Sequence, residues 1–214
     1  MEAKSLPALA VGGDFYDILS LDADHVAAVI GDVSGKGVPA ALFMAKLIGD
    51  LRFTGQLLRE PAEILTGMNR DLVEQSRRGM FVTAQYLLLD AVSGAVRVAD
   101  GGHVPLVHYH RRAGEAEVLD LPGGPPLGIL SEVIYPGSTL QLDHGDSLLL
   151  LTDGVLECTN ASGEAFGFPR LLEAIRAAGG AGTSLVQPIL RAVDAFTKDG
   201  ERHDDLTLVQ LTWC

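Results

Sequence analysis

The sequence predicts a layered α+β domain, with antiparallel sheets covered on their outer faces by a few helices. Three observations carry that prediction. Apolar residues recur at helical spacing across residues 38–72, and short apolar runs of strand length follow them. Paired turn residues, Ser93-Gly94, Gly101-Gly102 and Ala113-Gly114, separate those runs. Tight turns join antiparallel neighbours, because parallel strands need a crossover of a dozen residues or more.

His25–Ile30 is apolar and β-branched enough for a buried strand running into Gly31-Asp32. Val38–Leu58 reads as one long helix, with Met44, Leu47, Ile48 and Leu51 at helical spacing; its apolar character assigns it to core packing. Pro61 suits the first position of a second helix whose inward face is Ile64, Leu65, Met68 and Leu72. Strands are expected at Phe81–Asp90, Val96–Ala99, Leu106–Arg112, Glu117–Leu121, Thr139–Leu142, Ser147–Thr152 and Leu206–Trp213. In the last, alternation places Thr207, Val209, Leu211 and Trp213 on one face. Helices fill Pro169–Ala178 and Ser184–Thr197.

The 214 residues suit a single domain with a sizeable core, and 47% hydrophobic content excludes a disordered acidic tail. Sixteen Lys+Arg against 28 Asp+Glu leave a net charge of −12, which disfavours nucleic acid and anionic membrane surfaces as partners. No apolar run can span a bilayer, and residues 1–10 lack the layout of a signal peptide. Two cysteines, Cys158 and Cys214, make no disulfide framework; free thiols suit a reducing, cytoplasmic setting. Cys158 reads as a small hydrophobe.

The informative acids stand at expected strand ends, in three of four groups beside glycines: Gly12-Gly13-Asp14-Phe15-Tyr16-Asp17, Gly31-Asp32-Val33-Ser34-Gly35-Lys36-Gly37, Thr152-Asp153-Gly154 and Asp204-Asp205-Leu206-Thr207. Singly, each Asp-Gly pair reads as a turn. Together, four acidic strand ends could converge, and converging carboxylates repel unless cations bind between them. No His or Cys lies within the four groups, so an all-oxygen set of this kind selects Mg²⁺ or Mn²⁺ over Zn²⁺. Gly31-x-x-x-Gly35-Lys36-Gly37 is not a P-loop: it is one residue short between glycines and has Gly37 where the metal-binding Ser/Thr belongs. Gly12-Gly13-Asp14-Phe15-Tyr16 has Phe15 where a diguanylate cyclase signature has an acid.

Eight collinear motifs resemble the bacterial branch of the metal-dependent PP2C-type (PPM) phosphatases, the sporulation and stress-regulator type. They are Val11–Asp17, Ile30–Ala41, Gly79–Thr83, Gly101–Pro105, Gly123–Gly128, Leu151–Glu157, Gly163–Gly167 and Asp204–Thr207. The resemblance implies two antiparallel sheets packed face to face between helices, an αββα sandwich with a two-metal site at one end. It implies two Mn²⁺ or Mg²⁺ ions, with Asp32 bridging both and the Val33 carbonyl on one. Asp14, Asp153 and Asp204 would complete the coordination of the second metal, with Asp205 as the reserve for Asp204. Asp17 is assigned a solvated or supporting role.

The activity implied is hydrolysis of phosphoserine or phosphothreonine by a metal-activated water, with Asp32 and Asp153 acting through that water. The implied substrate is a phosphorylated regulator of the anti-sigma-factor antagonist type, in bacterial signal transduction and stress response. A catalytically silent module that sequesters a signalling partner is the alternative. The filled Asp positions speak against it. No protein nucleophile is needed, and Ser34 reads as a small residue in a tight turn.

The chain departs from eukaryotic relatives in two places. Leu6–Val11 holds no phosphate-binding Arg, and Val33-Ser34-Gly35 holds no His after the bridging Asp. His103 reads as a loop organiser, and Lys36 as a solvated residue or a phosphate contact. Pro7-Ala8 comes early for the family, so residues 1–214 are expected to be one phosphatase domain excised from a protein with an N-terminal sensor or receiver domain.

Overall fold

A computed structural model describes residues 1–8, 12–35, 37–75, 79–179, 184–198 and 204–214. In chain order the elements begin β1 (Glu2–Leu6), β2 (Asp14–Ser20), β3 (His25–Val33), α1 (Val38–Leu57), α2 (Pro61–Gln75), β4 (Val82–Asp90) and β5 (Ala95–Gly101). They continue β6 (Val107–His110), β7 (Glu115–Val118), β8 (Gly137–Gln141), β9 (Ser147–Leu151), α3 (Asp153–Glu157), α4 (Gly167–Ala178), α5 (Val186–Thr197) and β10 (Leu206–Thr212). The chain divides into two compact units, Ala10–His103 with Leu121–Leu142, and Met1–Leu9 with Val104–Asp120 and Asp143–Cys214.

The first of these units is built on a five-stranded sheet in the order β2-β3-β4-β5-β8, antiparallel at every pairing. One face packs on α1 and α2: Ala27, Val29, Val33, Val82, Ala84, Tyr86 and Leu88 meet Leu47, Leu51, Ile64, Leu65, Met68 and Leu72. The α2 face is the one its sequence spacing predicts. α1 differs from expectation, because its apolar residues are not all inward. Leu47 and Leu51 are buried, while Val38, Leu42, Phe53 and Leu57 are exposed. Leu65 is fully enclosed in this core. Leu65→Ala is expected to cost ~2–5 kcal/mol of stability, read as a lower urea midpoint at unchanged slope.

The second unit carries the sheet β1-β10-β9-β6-β7, again antiparallel throughout. Leu149, Leu151, Leu206 and Leu208 face a core shared with Leu171 and Ile175 of α4 and Ile189 and Val193 of α5. β10 is buried along both faces from Leu206 to Leu211, and Trp213 lies beyond its end, against the edge of the His144 ring. The strand therefore stops one residue before the expected Trp213. Cys158 is half-buried beside this core and donates to the Val155 carbonyl oxygen (3.2 Å), as expected of a small packed thiol.

Three elements were not expected from sequence: β1, β2 and the short α3. β7 also begins two residues earlier than predicted. Gly114, at φ 71°, closes the hairpin by donating its N–H to the His110 carbonyl oxygen, so Glu115 is already paired. Among the described residues no helix is long and apolar enough to cross a membrane.

Candidate functional site

Antiparallel register sets the site in the unit built on β2–β5 and β8. Asp14 at the start of β2 lies directly opposite Asp32 near the end of β3, and Asp32 lies opposite Thr83 on β4. Directly opposed residues share a sheet face. These three stand on the face turned away from α1 and α2, since Val33, Val82 and Ala84 take the helical side. The Thr83 hydroxyl and His103 Nδ1 are 2.9 Å apart, which extends the polar row by one residue.

The glycine before Asp14 explains how close these groups come. The Val33 N–H donates to the Gly13 carbonyl oxygen at 3.2 Å, holding the two strand ends together. A β-carbon on Gly13 would lie 2.7 Å from Asp32 Oδ1 and 2.7 Å from the Val33 carbonyl oxygen. The two oxygens thus flank one small cradle that only glycine leaves open. The donor set there is carboxylate and carbonyl oxygen, the chemistry of a hard divalent cation.

Below the row, Asp100 organises the loop that carries His103. Its carboxylate accepts from Gln85 Nε2 (2.6 Å) and from the His103 backbone N–H (2.9 Å). Burial pushes the Asp100 carboxyl above its ordinary range, while the Gln85 amide and the His103 and Gly102 N–H groups favour its charged form. His103 is itself buried, which fits the loop-organising role read from sequence. Asp100 and Gln85 belong to no motif in the sequence, and the Gly79–Thr83 and Gly101–Pro105 motifs mark the place.

Asp17 and Ser34 are held by protein groups. Arg52 on α1 grips Asp17 with two bonds, Nε to Oδ2 (2.6 Å) and a second guanidinium nitrogen to Oδ1 (3.0 Å). The Ser34 hydroxyl accepts the Phe81 N–H at 2.8 Å, and the Ser34 N–H donates to the Phe81 carbonyl oxygen at 2.9 Å. Gly35 follows at φ 101°, a left-handed conformation that favours glycine. Lys36 lies outside the described residues.

The other sequence-selected acids belong to the second unit, where they too form a group. Thr152, just after β9, is clamped to Thr207 by two bonds: its N–H donates to the Thr207 carbonyl oxygen (3.1 Å), and its hydroxyl accepts the Thr207 N–H (3.0 Å). That clamp sets Asp153, first residue of α3, beside the 204–205 segment. The approach is close enough that a β-carbon on Gly154 would collide with the Asp205 carbonyl oxygen. Asp205 is buried and its Oδ1 accepts the Ala8 N–H at 2.8 Å, while Asp204 is exposed and accepts the Asp205 N–H at 3.1 Å. The structure thus brings Asp14, Asp32 and Val33 together in one unit, and Asp153, Asp204 and Asp205 together in the other.

A family model described as Stage II sporulation protein E (SpoIIE) matches residues 22–213. The phosphoserine phosphatase RsbU of Bacillus subtilis (strain 168) is 29% identical over 213 residues, covering 98% of this chain and 62% of RsbU. The solved RsbU and RsbW domains of Rv1364c from Mycobacterium tuberculosis match at TM-score 0.84 and 26% identity, over 98% of this chain and 58% of that one. The SiaA-PP2C domain of Pseudomonas aeruginosa matches at TM-score 0.86 and 23% identity, over 99% of this chain and 86% of that one, a likeness of fold alone. This chain spans about three fifths of the first two. The α+β class expected from sequence, with two antiparallel sheets and helices of PP2C type, is the class observed.

Proposed function

The chain belongs to the SpoIIE family, and from that premise we propose that it is a metal-dependent phosphatase acting on phosphoserine or phosphothreonine of a regulatory protein. The observation that carries the reading is the Gly13 cradle, where Asp32 Oδ1 and the Val33 carbonyl oxygen approach one point beside the Asp14 strand pairing. Two opposed carboxylates destabilise a strand pair unless positive charge offsets them, so this is a place to bind cations.

By resemblance to the family, Asp14, Asp32, the Val33 carbonyl, Asp153 and Asp204 are the groups that would hold two Mn²⁺ or Mg²⁺ ions. Asp204 is preferred to Asp205, because Asp205 is buried with its Oδ1 on the distant Ala8 N–H, whereas Asp204 is exposed and bonded to the N–H of its own neighbour. When bound, such a pair of ions acidifies a water and offsets charge on the phosphoryl oxygens. The chain's own part is to fix the carboxylates: the Val33–Gly13 bond sets one group, and the Thr152–Thr207 clamp sets the other. His103 and Asp100 hold the loop beside Thr83.

Ser34 is no nucleophile in this account, since its hydroxyl is committed to Phe81. Ser34→Ala is expected to lower turnover by less than about tenfold, against the ~10⁴-fold or larger loss expected of a nucleophile. A steady-state assay with a phosphoserine peptide decides between them.

The substrate class proposed is a phosphorylated anti-sigma-factor antagonist, in a cytoplasmic stress-signalling circuit, with this chain as the phosphatase domain of a longer protein bearing an N-terminal sensor or receiver domain. Resemblance to RsbU supports that choice. Mn²⁺-dependent phosphate release from a phosphoserine antagonist, and little from a phosphotyrosine peptide, is the expected result. No turnover with Mn²⁺ or Mg²⁺ would overturn the reading and favour a silent binding module.

A further inference from the structure

The second unit holds a cluster of a different chemistry, at the other end of β9 from Asp153. His108 and His110 alternate along β6 and therefore share one face, and Glu117 on β7 is the direct partner of His108. One ligand atom from each of His108, His110 and Glu117 lies within 4.8 Å of the others. The imidazole rings are 3.8 Å apart between centroids, and His110 Nε2 is 2.9 Å from Glu117 Oε1.

Two features suit this cluster to a metal rather than to a chance contact. The first is a buried carboxylate behind it: Asp146 Oδ2 stands 3.0 Å from His108 Nε2 and 3.7 Å from His110 Nδ1. Asp146 is fixed there by the Arg111 N–H (2.9 Å) and the Asp143 N–H (3.2 Å). A carboxylate on one imidazole nitrogen fixes the tautomer and leaves the other nitrogen for a metal. The second is the disposition of the neighbouring acid. Glu115, opposite His110, is drawn away by Arg176 Nε at 2.9 Å, whereas Glu117 is left against the histidines.

We propose that His108, His110 and Glu117 form a binding site for a borderline divalent cation, Zn²⁺ being the best match, with Asp146 orienting His108. Two imidazoles and one carboxylate are a Zn²⁺ ligand set, distinct from the oxygen-only groups around Asp32 and Asp153. The ligand atoms lie within 4.8 Å of one another, wider than the ~3.4 Å edge of a tetrahedral Zn²⁺ shell, so the side chains would draw together on binding. The bound ion would cross-link β6 to β7, with Asp146 at the turn before β9 supporting His108. The site does not depend on the phosphatase reading.

The test is calorimetric titration of the chelator-treated chain with Zn²⁺ under excess Mg²⁺, which occupies hard oxygen sites. One Zn²⁺ per chain is expected, accompanied by a raised melting temperature. His110→Ala and Glu117→Gln, both at solvent-accessible side chains, should each weaken binding by about 100-fold and remove the thermal shift, with unchanged circular dichroism. Failure to bind Zn²⁺, or retention of wild-type affinity within about threefold in either variant, overturns the proposal.

Discussion

Asp32→Ala is expected to lower Mn²⁺-dependent phosphatase turnover by about 10³-fold or more, equivalent to ~4 kcal/mol of barrier. Asp32 is the one sequence-selected acid that stands directly between two other residues of the polar row, Asp14 on β2 and Thr83 on β4. Its Oδ1 also flanks the Gly13 cradle with the Val33 carbonyl oxygen. Truncation removes one of two donors at that point and halves the negative charge of the strand pair. Stability should respond with the opposite sign. In chelator, the variant loses a repulsive cross-strand contact and is expected to melt no lower than wild type. With Mn²⁺ added, wild type should gain stability by mass action and the variant should not. Paired melting curves and turnover measure both effects on the same preparations, and a variant that simply misfolds would fail the first.

Gly13→Ala should act nearly as strongly without touching a charged group. An added β-carbon at 2.7 Å from both Asp32 Oδ1 and the Val33 carbonyl oxygen forces at least one of them to move. Neither oxygen is the far end of a long flexible chain, so the strand ends must spread. The expected outcome is a turnover about 10²-fold lower at saturating Mn²⁺, and a Mn²⁺ requirement raised by about tenfold or more. Gly67 on α2 is the control, because a β-carbon there meets open space. Gly67→Ala is expected to leave turnover unchanged and to add ~0.5–1 kcal/mol of stability by restricting the unfolded chain. Equal activity in the two alanine variants would count against the cradle.

Much of the fold was legible where burial writes a period into the sequence. The α2 face of Ile64, Leu65, Met68 and Leu72 and the strand Val82–Asp90 follow directly from that period. β2 escaped because its alternation is broken by Asp17, a carboxylate in an otherwise inward position. Arg52 makes that tolerable, and a partner 35 residues away leaves no local signal. β1 is a half-buried strand of mixed polarity at a sheet edge, so no apolar period marks it. Trp213 was misjudged because β10 is buried on both faces, where alternation carries little information about the strand's end. The exposed Val38, Leu42, Phe53 and Leu57 of α1 could not be told from core residues by composition.

The site was legible differently. Asp14, Asp32 and Asp153 are acids beside glycines at strand ends, and those glycines mark close approach by another segment, while Asp204 is marked by its strand start alone. What the sequence could not supply was allocation of oxygens. Asp205 and Asp204 look interchangeable until the first is seen buried against the Ala8 N–H and the second exposed. The histidine cluster was missed for a related reason, because His108-x-His110 gains its carboxylates only through pairing with β7 and the turn at Asp146.

The most direct test of the central claim is a Mn²⁺ titration of the chelator-treated chain, read at once as bound metal and as phosphate released from a phosphoserine peptide. The oxygen-ligand account predicts two Mn²⁺ per chain, turnover that rises with their occupancy, and loss of both in Asp32→Ala. Full turnover in chelator, or Mn²⁺ binding that survives Asp32→Ala unchanged, would contradict it.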